Sequence, residues 1–323
     1  MNLNQILEPI QDELSAFEAR FKEVLSGESS FIWEISQHLL ENHGKRLRPA
    51  CVLLVSRAFG EKSERGIETA VALELIHTAT LLHDDVIDQS PTRRGEMTVS
   101  YKWSNLVSVL MGDYLFAKAF RTLVGIGSPS IMKTVSSATE RVSIGQLNEI
   151  KESKNFALAE GDYLKIISDK TASLFAAACE SGCILHQSDQ KQIAGFKIYG
   201  QNFGMVFQIV DDLLDIIGNQ EKTGKEVGTD LREGKVTLPL IYSLQQEAPT
   251  KRKNILKYLE NGYSNSSFEK VVSFIQEKGG TVYSHKKASE FGQKALESIQ
   301  FLPDSIYNKS LKDLVAFALK RDK

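Results

Sequence analysis

The sequence predicts an all-α fold, and three observations carry that reading. Apolar residues recur at helical spacing in nearly every segment; alternating strand patterns of any length are missing; the longest segments are rich in Leu and Ala and free of proline. ALELIHTATLLHDDVID (72–88), VSVLMGDYLFAKAFRTLV (107–124), KTASLFAAACESGCILH (170–186) and FKIYGQNFGMVFQIVDDLLDII (196–217) are apolar on most sides, as helices inside a large bundle must be. Punctuation falls at NHGKRLRP, DQSPTRRGEM, GIGSPS, FLPDS and a long polar, Gly- and Lys-rich loop from Gly218 to Thr237. Loops of that length are usually functional or disordered. No Gly/Ser linker, low-complexity stretch or internal repeat divides the chain, which reads as one helical-bundle domain over residues 1–323.

Composition narrows the function. A chain of 323 residues with 42% hydrophobic and 25% charged residues has ample material for a core. A net charge of −2 gives no electrostatic reason to expect nucleic acid or an acidic membrane. No apolar run approaches the ~20 residues that span a bilayer, and the N-terminal MNLNQILEPIQDELSAFEARF carries acids throughout, unlike a signal peptide. Cys51, Cys179 and Cys183 are an odd set with no further Cys or His nearby; they read as small core residues in a protein of the reducing cytoplasm.

The chemistry lies in LLHDDVIDQSPTRRG, Leu81 to Gly95. Residues i and i+4 share a helix face, so Asp84 and Asp88 stack, with Asp85 on the flank. FQIVDDLLDIIG (207–218) repeats the pattern with Asp211, Asp215 and Asp212. Like charges at that spacing destabilise a helix, and in apolar helices they call for a bound cation. All-carboxylate donors without Cys or His suit Mg²⁺, which keeps waters and is shared with phosphate. One cluster alone could be a solvated helix end; two with identical spacing, each behind an apolar run, argue for a site. Cations flank both: Arg93 and Arg94 after the first, Lys225 and Lys235 after the second, Lys170-Thr171 after DYLKIISD, and the basic loop GKRLRP (44–49) opening a helix at Pro49. Arginine matches phosphate oxygens bidentately and lysine acts as a point charge. The set predicts sites for two diphosphates, one chelated through Mg²⁺ and one held by Arg and Lys.

GKRLRP, LLHDDVIDQSPTRRG, GQLNE, DKTASLF, FGMVFQIVDDLLD and GKEVGTDLREGKVTLP, in that order over residues 44–239, resemble the motif series of the trans-type polyprenyl diphosphate synthases. His43 stands before GKRLRP, where that family often has glycine. The resemblance implies the isoprenoid-synthase bundle around a deep central cavity, usually as a homodimer, and head-to-tail condensation of isopentenyl diphosphate onto an allylic diphosphate. Carried over residue by residue, it implies that Asp84, Asp85, Asp88, Asp211, Asp212 and Asp215 bind several Mg²⁺, directly or through water. Arg93, Lys170, Thr171, Gln208, Lys225 and Lys235 would hold the allylic diphosphate. Lys45, Arg48, His77 and Arg94 would hold isopentenyl diphosphate. The first five of those aspartates and Lys170 would be catalytic.

Other classes fit less of the chain. Glu74-x-x-His77 matches a di-iron motif, but ferritin-like bundles need a second copy. The His83-Asp84 dyad of metal phosphohydrolases stands isolated. A terpene cyclase would lack GKRLRP, and a regulatory subunit would have lost its acidic clusters. Short-chain (farnesyl or geranylgeranyl) synthesis and the catalytic subunit of a two-component synthase stay open. On the helix carrying Asp84, the product would pass Thr80, Ala79 and Ile76. Each turn rises ~5.4 Å, about one isoprene unit. Small residues at 79 and 80 leave the floor open and point to a long-chain product such as a quinone side chain.

Overall fold

The structure, a computed structural model, describes residues 2–26, 29–41, 44–60, 62–186, 188–218, 228–260 and 265–321. The fold is all-α. In chain order the helices are α1 (Leu3–Leu7), α2 (Gln11–Leu25), α3 (Ser30–Glu41), α4 (Leu47–Phe59), α5 (Glu64–Ile87), α6 (Val99–Lys102), α7 (Asn105–Ile126), α8 (Pro129–Lys151), α9 (Glu160–Ile167), α10 (Ser173–Ile184), α11 (Gln190–Ile217), α12 (Thr229–Arg232), α13 (Leu238–Gln245), α14 (Pro249–Glu260), α15 (Asn265–Glu277), α16 (Gly280–Ser298) and α17 (Ile306–Lys320).

Local chemistry sets several ends. Asn2 and Gln5 close a reciprocal capping box on α1. Ser63, Thr98 and Ser104 accept backbone N–H bonds at the starts of α5, α6 and α7. Gly127, at φ 66°, ends α7 in the left-handed conformation. Pro129 then opens α8, where its missing N–H costs nothing.

The chain packs as two compact units. One comprises Met1–Thr139, Leu174–Gly200 and Ser298–Leu314; the other Glu140–Ser173, Gln201–Glu297 and Val315–Lys323. In the first, α5 lies against α7, α4 and α2. Its residues from Thr69 to Ile76, Glu74 included, are buried on every side, as its largely apolar sequence predicts. Phe17, Phe21, Phe175 and Phe196 are fully enclosed in this unit, each worth ~1.5–3 kcal/mol of transfer free energy. Gly112 lets α7 approach α5 closely, since a Cβ there would lie 2.3 Å from His83 Nε2. Cys51, Cys179 and Cys183 are free, buried core residues, as expected. In the second unit, Phe203 and Tyr163 are buried, and Tyr242 stacks on Tyr283 at 4.0 Å. Among the described residues no helix is long and apolar enough to cross a membrane.

Three local features depart from the expectations. α4 opens at Leu47, two residues before Pro49. Arg46 turns the chain at φ 51° and is held by Glu18 at 2.8 Å and Glu74 at 2.7 Å. The loop after the first aspartates contains a β-hairpin, β1 (Thr92–Arg93) and β2 (Glu96–Met97). Its strands are too short for any pattern, and its turn is Arg94-Gly95 with φ 56° and 88°. A π-helical turn, Ser168–Ala172, separates α9 from α10 and carries Lys170 and Thr171. Within the long loop, 228–237 contains α12, whereas 219–227, including Lys225, lies outside the described residues.

Candidate active site

The first aspartates occupy the last turn of α5, with Asp88 as its C-cap. The second set occupies the last turns of α11. A helix C-terminus carries partial negative charge and favours cations. Three acids at such an end therefore need positive partners.

In the first unit, the hairpin supplies one. Arg93 Nε donates to Asp85 Oδ1 at 2.7 Å, and the Asp85 side chain is 5% exposed. Burial raises the Asp85 pKa against the pull of Arg93. Asp84 and Asp88 are half-buried on the shared face. His38 Nε2 binds the Met97 carbonyl at 2.7 Å, and Thr98 Oγ1 donates to the Ser90 carbonyl at 2.8 Å, fixing the hairpin on α3 and on the end of α5.

Beside it lies a cationic pocket lined by Arg46, Glu74, His77, Asp85, Arg93 and Arg94. Desolvation, reinforced by Arg48, Arg94, Arg93 and Arg46, holds His77 well below its usual pKa, so the ring is neutral. Burial pushes Arg48 down to about 10, with Arg94 adding to the fall. Arg48 stacks at 4.4 Å on Phe175, and its buried Nε meets no acceptor among the described residues. Arg94, also lowered by burial and by Arg93, packs over Gly44, where a Cβ would sit 2.6 Å from Nη2. That explains a glycine at the head of GKRLRP. Lys45 is exposed just before α4. Arg48, His77 and Arg94 thus come together as one electrostatic group. Such a group suits a diphosphate.

In the second unit, each carboxylate has a different partner. Asp212 is buried; it accepts from Tyr163 Oη at 2.6 Å and Gln208 Nε2 at 2.7 Å. Gln208 Oε1 in turn accepts from Thr171 Oγ1 at 2.7 Å. Burial, with Asp211 and Glu149 adding to it, pushes Asp212 up to about 7 against those two hydrogen bonds. Asp215 receives the backbone N–H groups of Thr229 and Asp230, both at 3.1 Å, and so caps α12. Asp211 pairs with Arg321 at 2.6 Å. Lys170 pairs with Glu149, and Lys235 with Glu233 at 2.7 Å. Gly145 makes room for the π turn, since a Cβ there would lie 2.4 Å from the Lys170 backbone nitrogen.

The structure therefore groups Asp84, Asp85, Asp88, Arg93, Arg94, Arg48 and His77 within one unit, and Lys170, Thr171, Gln208, Asp211, Asp212, Asp215 and Lys235 within the other. Ala79 and Ile76 are fully enclosed and Thr80 half-buried; none of them lines the cationic pocket. Sequence reasoning missed Tyr163, Arg321 and Asp230. Asp230 is a half-buried acid whose pKa is raised well above the carboxylate range by desolvation and by Asp215 and Asp212. Its GTDLREG context carried the only local signal.

Among the described residues no three His, Cys, Asp or Glu side chains converge as a metal cage. The donors fit Mg²⁺ on other grounds. Paired carboxylates at each helix end are hard oxygen ligands, and Mg²⁺ takes one or two carboxylates together with water and phosphate. Within the first unit, carboxylates at the end of α5 beside a guanidinium-lined pocket suit an enzyme class that handles diphosphates.

Residues 29–275 match the family profile for polyprenyl synthetase. The chain is 33% identical over 323 residues to the octaprenyl diphosphate synthase of Escherichia coli strain K12, covering 100% of both. It is 35% identical over 317 residues to a geranyl-diphosphate-specific all-trans-nonaprenyl-diphosphate synthase of Rhodobacter capsulatus, covering 98% of this chain and 97% of the relative. A polyprenyl synthase from Caulobacter crescentus CB15, solved with calcium and isoprenyl diphosphate, superposes with a TM-score of 0.94 at 31% identity, covering 100% of this chain and 98% of that one. The chain belongs to the polyprenyl synthetase family and is a prenyltransferase.

Proposed function

We propose that the chain condenses isopentenyl diphosphate head-to-tail onto an allylic diphosphate, with Mg²⁺, to make a long-chain all-trans polyprenyl diphosphate for a quinone side chain. The cationic pocket carries this reading. Arg94 and His77 line it; Arg48, outside the lining, adds positive charge that helps to keep His77 neutral, and burial disfavours the charged forms of both arginines. An arriving diphosphate relieves that cost and accepts the His77 N–H. Lys45, exposed beside α4, reaches the same anion.

Asp84 and Asp88 in one unit, and Asp211 in the other, would each hold Mg²⁺, which when bound would neutralise charge on a leaving diphosphate. Asp85, Asp212 and Asp215 contribute as hydrogen-bonded carboxylates behind them. Lys170, Lys225, Lys235 and Arg93 hold the allylic diphosphate. As its C–O bond breaks, an allylic cation forms, and the Thr171–Gln208 pair offers dipoles without a nucleophile that would trap it. The double bond of isopentenyl diphosphate attacks, and the released diphosphate takes the final proton. The long-chain product is supported by the named relatives and by small side chains at Ala79 and Thr80. Homodimerisation is supported by an apolar stripe on α7, where Leu106, Leu110 and Val124 are 69%, 58% and 68% exposed.

Diphosphate release from the two substrates by the purified chain, with and without EDTA, tests the reading. Release abolished by EDTA and restored by Mg²⁺ is expected. Metal-independent release, or none without a second protein, would refute it.

A further inference from the structure

The second aspartate set holds a cation of its own. Asp212 is bonded to Tyr163 and Gln208, and Asp215 to two backbone N–H groups, so both are fixed by the fold. Asp211 is different. Its side chain is 48% exposed, and its partner, Arg321, follows directly after α17. Contact is through one nitrogen, Nη2 to Oδ1 at 2.6 Å, where a guanidinium could offer a fork. Arg321 Nε is buried and meets no acceptor among the described residues. The guanidinium lies 4.2 Å above the ring of Phe207, one turn before Asp211 on α11. Among the described residues, Arg321, whose side chain is 4% exposed, is therefore held by a single charged hydrogen bond and a ring face, at a carboxylate that is itself half-exposed.

We propose that Arg321 is a built-in counter-cation for Asp211, occupying the carboxylate until a divalent metal displaces it. The proposal rests on the reading of Asp211 as a metal ligand. The end of α11 crowds acids where the helix dipole already disfavours them. An internal cation relieves that repulsion in the metal-free protein and competes with the metal for Asp211. Arg321 is thus a positioning residue that sets how readily this carboxylate loads.

Mn²⁺ binding to the full-length chain, followed by the electron paramagnetic resonance of free Mn²⁺, tests this in an Asp84→Asn, Asp88→Asn background, so that the second set alone reports. Arg321→Gln should bind Mn²⁺ about fivefold more tightly, the ordinary scale of such an ion pair. Arg321→Lys should stay near the parent, and Asp211→Asn should lose the site. Equal or weaker binding in Arg321→Gln would overturn the proposal while leaving the metal reading intact. No binding in any variant would overturn both. Thermal melts give a second readout. Arg321→Gln should melt below the parent in EDTA, with the gap closing as Mn²⁺ saturates. A gap that persists would make Arg321 a plain fastener of the C-terminus.

Discussion

The Tyr163 hydroxyl donates a 2.6 Å hydrogen bond to Asp212, with both side chains buried, so this carboxylate of the second set is fixed from the middle of α9. Tyr163→Phe leaves it one donor, Gln208. A hydrogen bond to a buried charged group is worth ~1.5–3 kcal/mol. Urea unfolding at pH 8 should show a loss of about 2 kcal/mol, with a smaller loss at pH 5. Equal losses at both values would mean that Tyr163 serves packing alone.

The same site makes metal-free stability depend on pH. Asp212 titrates at about 7 in the folded chain and at about 4 when unfolded. Between those values the folded state holds the extra proton, so its stabilisation is complete below about pH 4 and fades as pH rises through about 7. Relative to Asp212→Asn, the metal-free protein should lose a few kcal/mol across that window. Parallel curves for the two proteins in EDTA would show that Asp212 is ionised throughout.

Asp84→Ala and Asp211→Ala should each lower kcat by roughly 10³-fold or more, because charge on the leaving group develops mainly in the transition state. Circular dichroism should show the helices intact: Asp84→Ala relieves carboxylate repulsion, and in Asp211→Ala that relief is set against the lost Arg321 ion pair. Near-normal turnover in either variant would sink the role assigned to that helix end.

The helical architecture was legible because apolar periodicity and proline-free runs fix long helices locally, and both aspartate sets fall on helix ends the pattern could place. Partners were not. Arg321 reaches Asp211, and Tyr163 reaches Asp212, across sequence gaps that no periodicity spans. The two-residue strands around Arg94-Gly95 are shorter than any alternation that could announce them. Arg46, the remaining cation of GKRLRP, had no role that the sequence could assign. Its ion pairs to Glu18 and Glu74 and its place over Phe21, at 4.8 Å, make it part of the scaffold.

The two diphosphate sites should separate by kinetics. Arg48→Ala should raise KM for isopentenyl diphosphate at least tenfold, the cost of about 1.4 kcal/mol of lost binding, with little change for the allylic substrate. Lys170→Ala should act chiefly on the allylic half-reaction. Equal weakening of both substrates by both variants would break the assignment of residues to sites.

Enclosure now distinguishes the candidate chain-length residues. Ala79 is fully buried, so Ala79→Phe overpacks the core and should cost ~1–3 kcal/mol. Thr80 is half-buried, its hydroxyl turned back to the His77 carbonyl at 2.7 Å. Thr80→Phe should keep the fold and shorten the product. A product distribution unchanged by Thr80→Phe would remove this face of α5 from the path of the growing chain.

The central claim is long-chain prenyl transfer by this chain alone. Mass spectrometry of the products formed by the purified protein from isopentenyl diphosphate, a short allylic diphosphate and Mg²⁺ addresses it directly. The account predicts polyprenyl diphosphates well beyond geranylgeranyl length, with none formed by Asp84→Ala. A product that stops at farnesyl or geranylgeranyl length, or the absence of any condensation product, would contradict it.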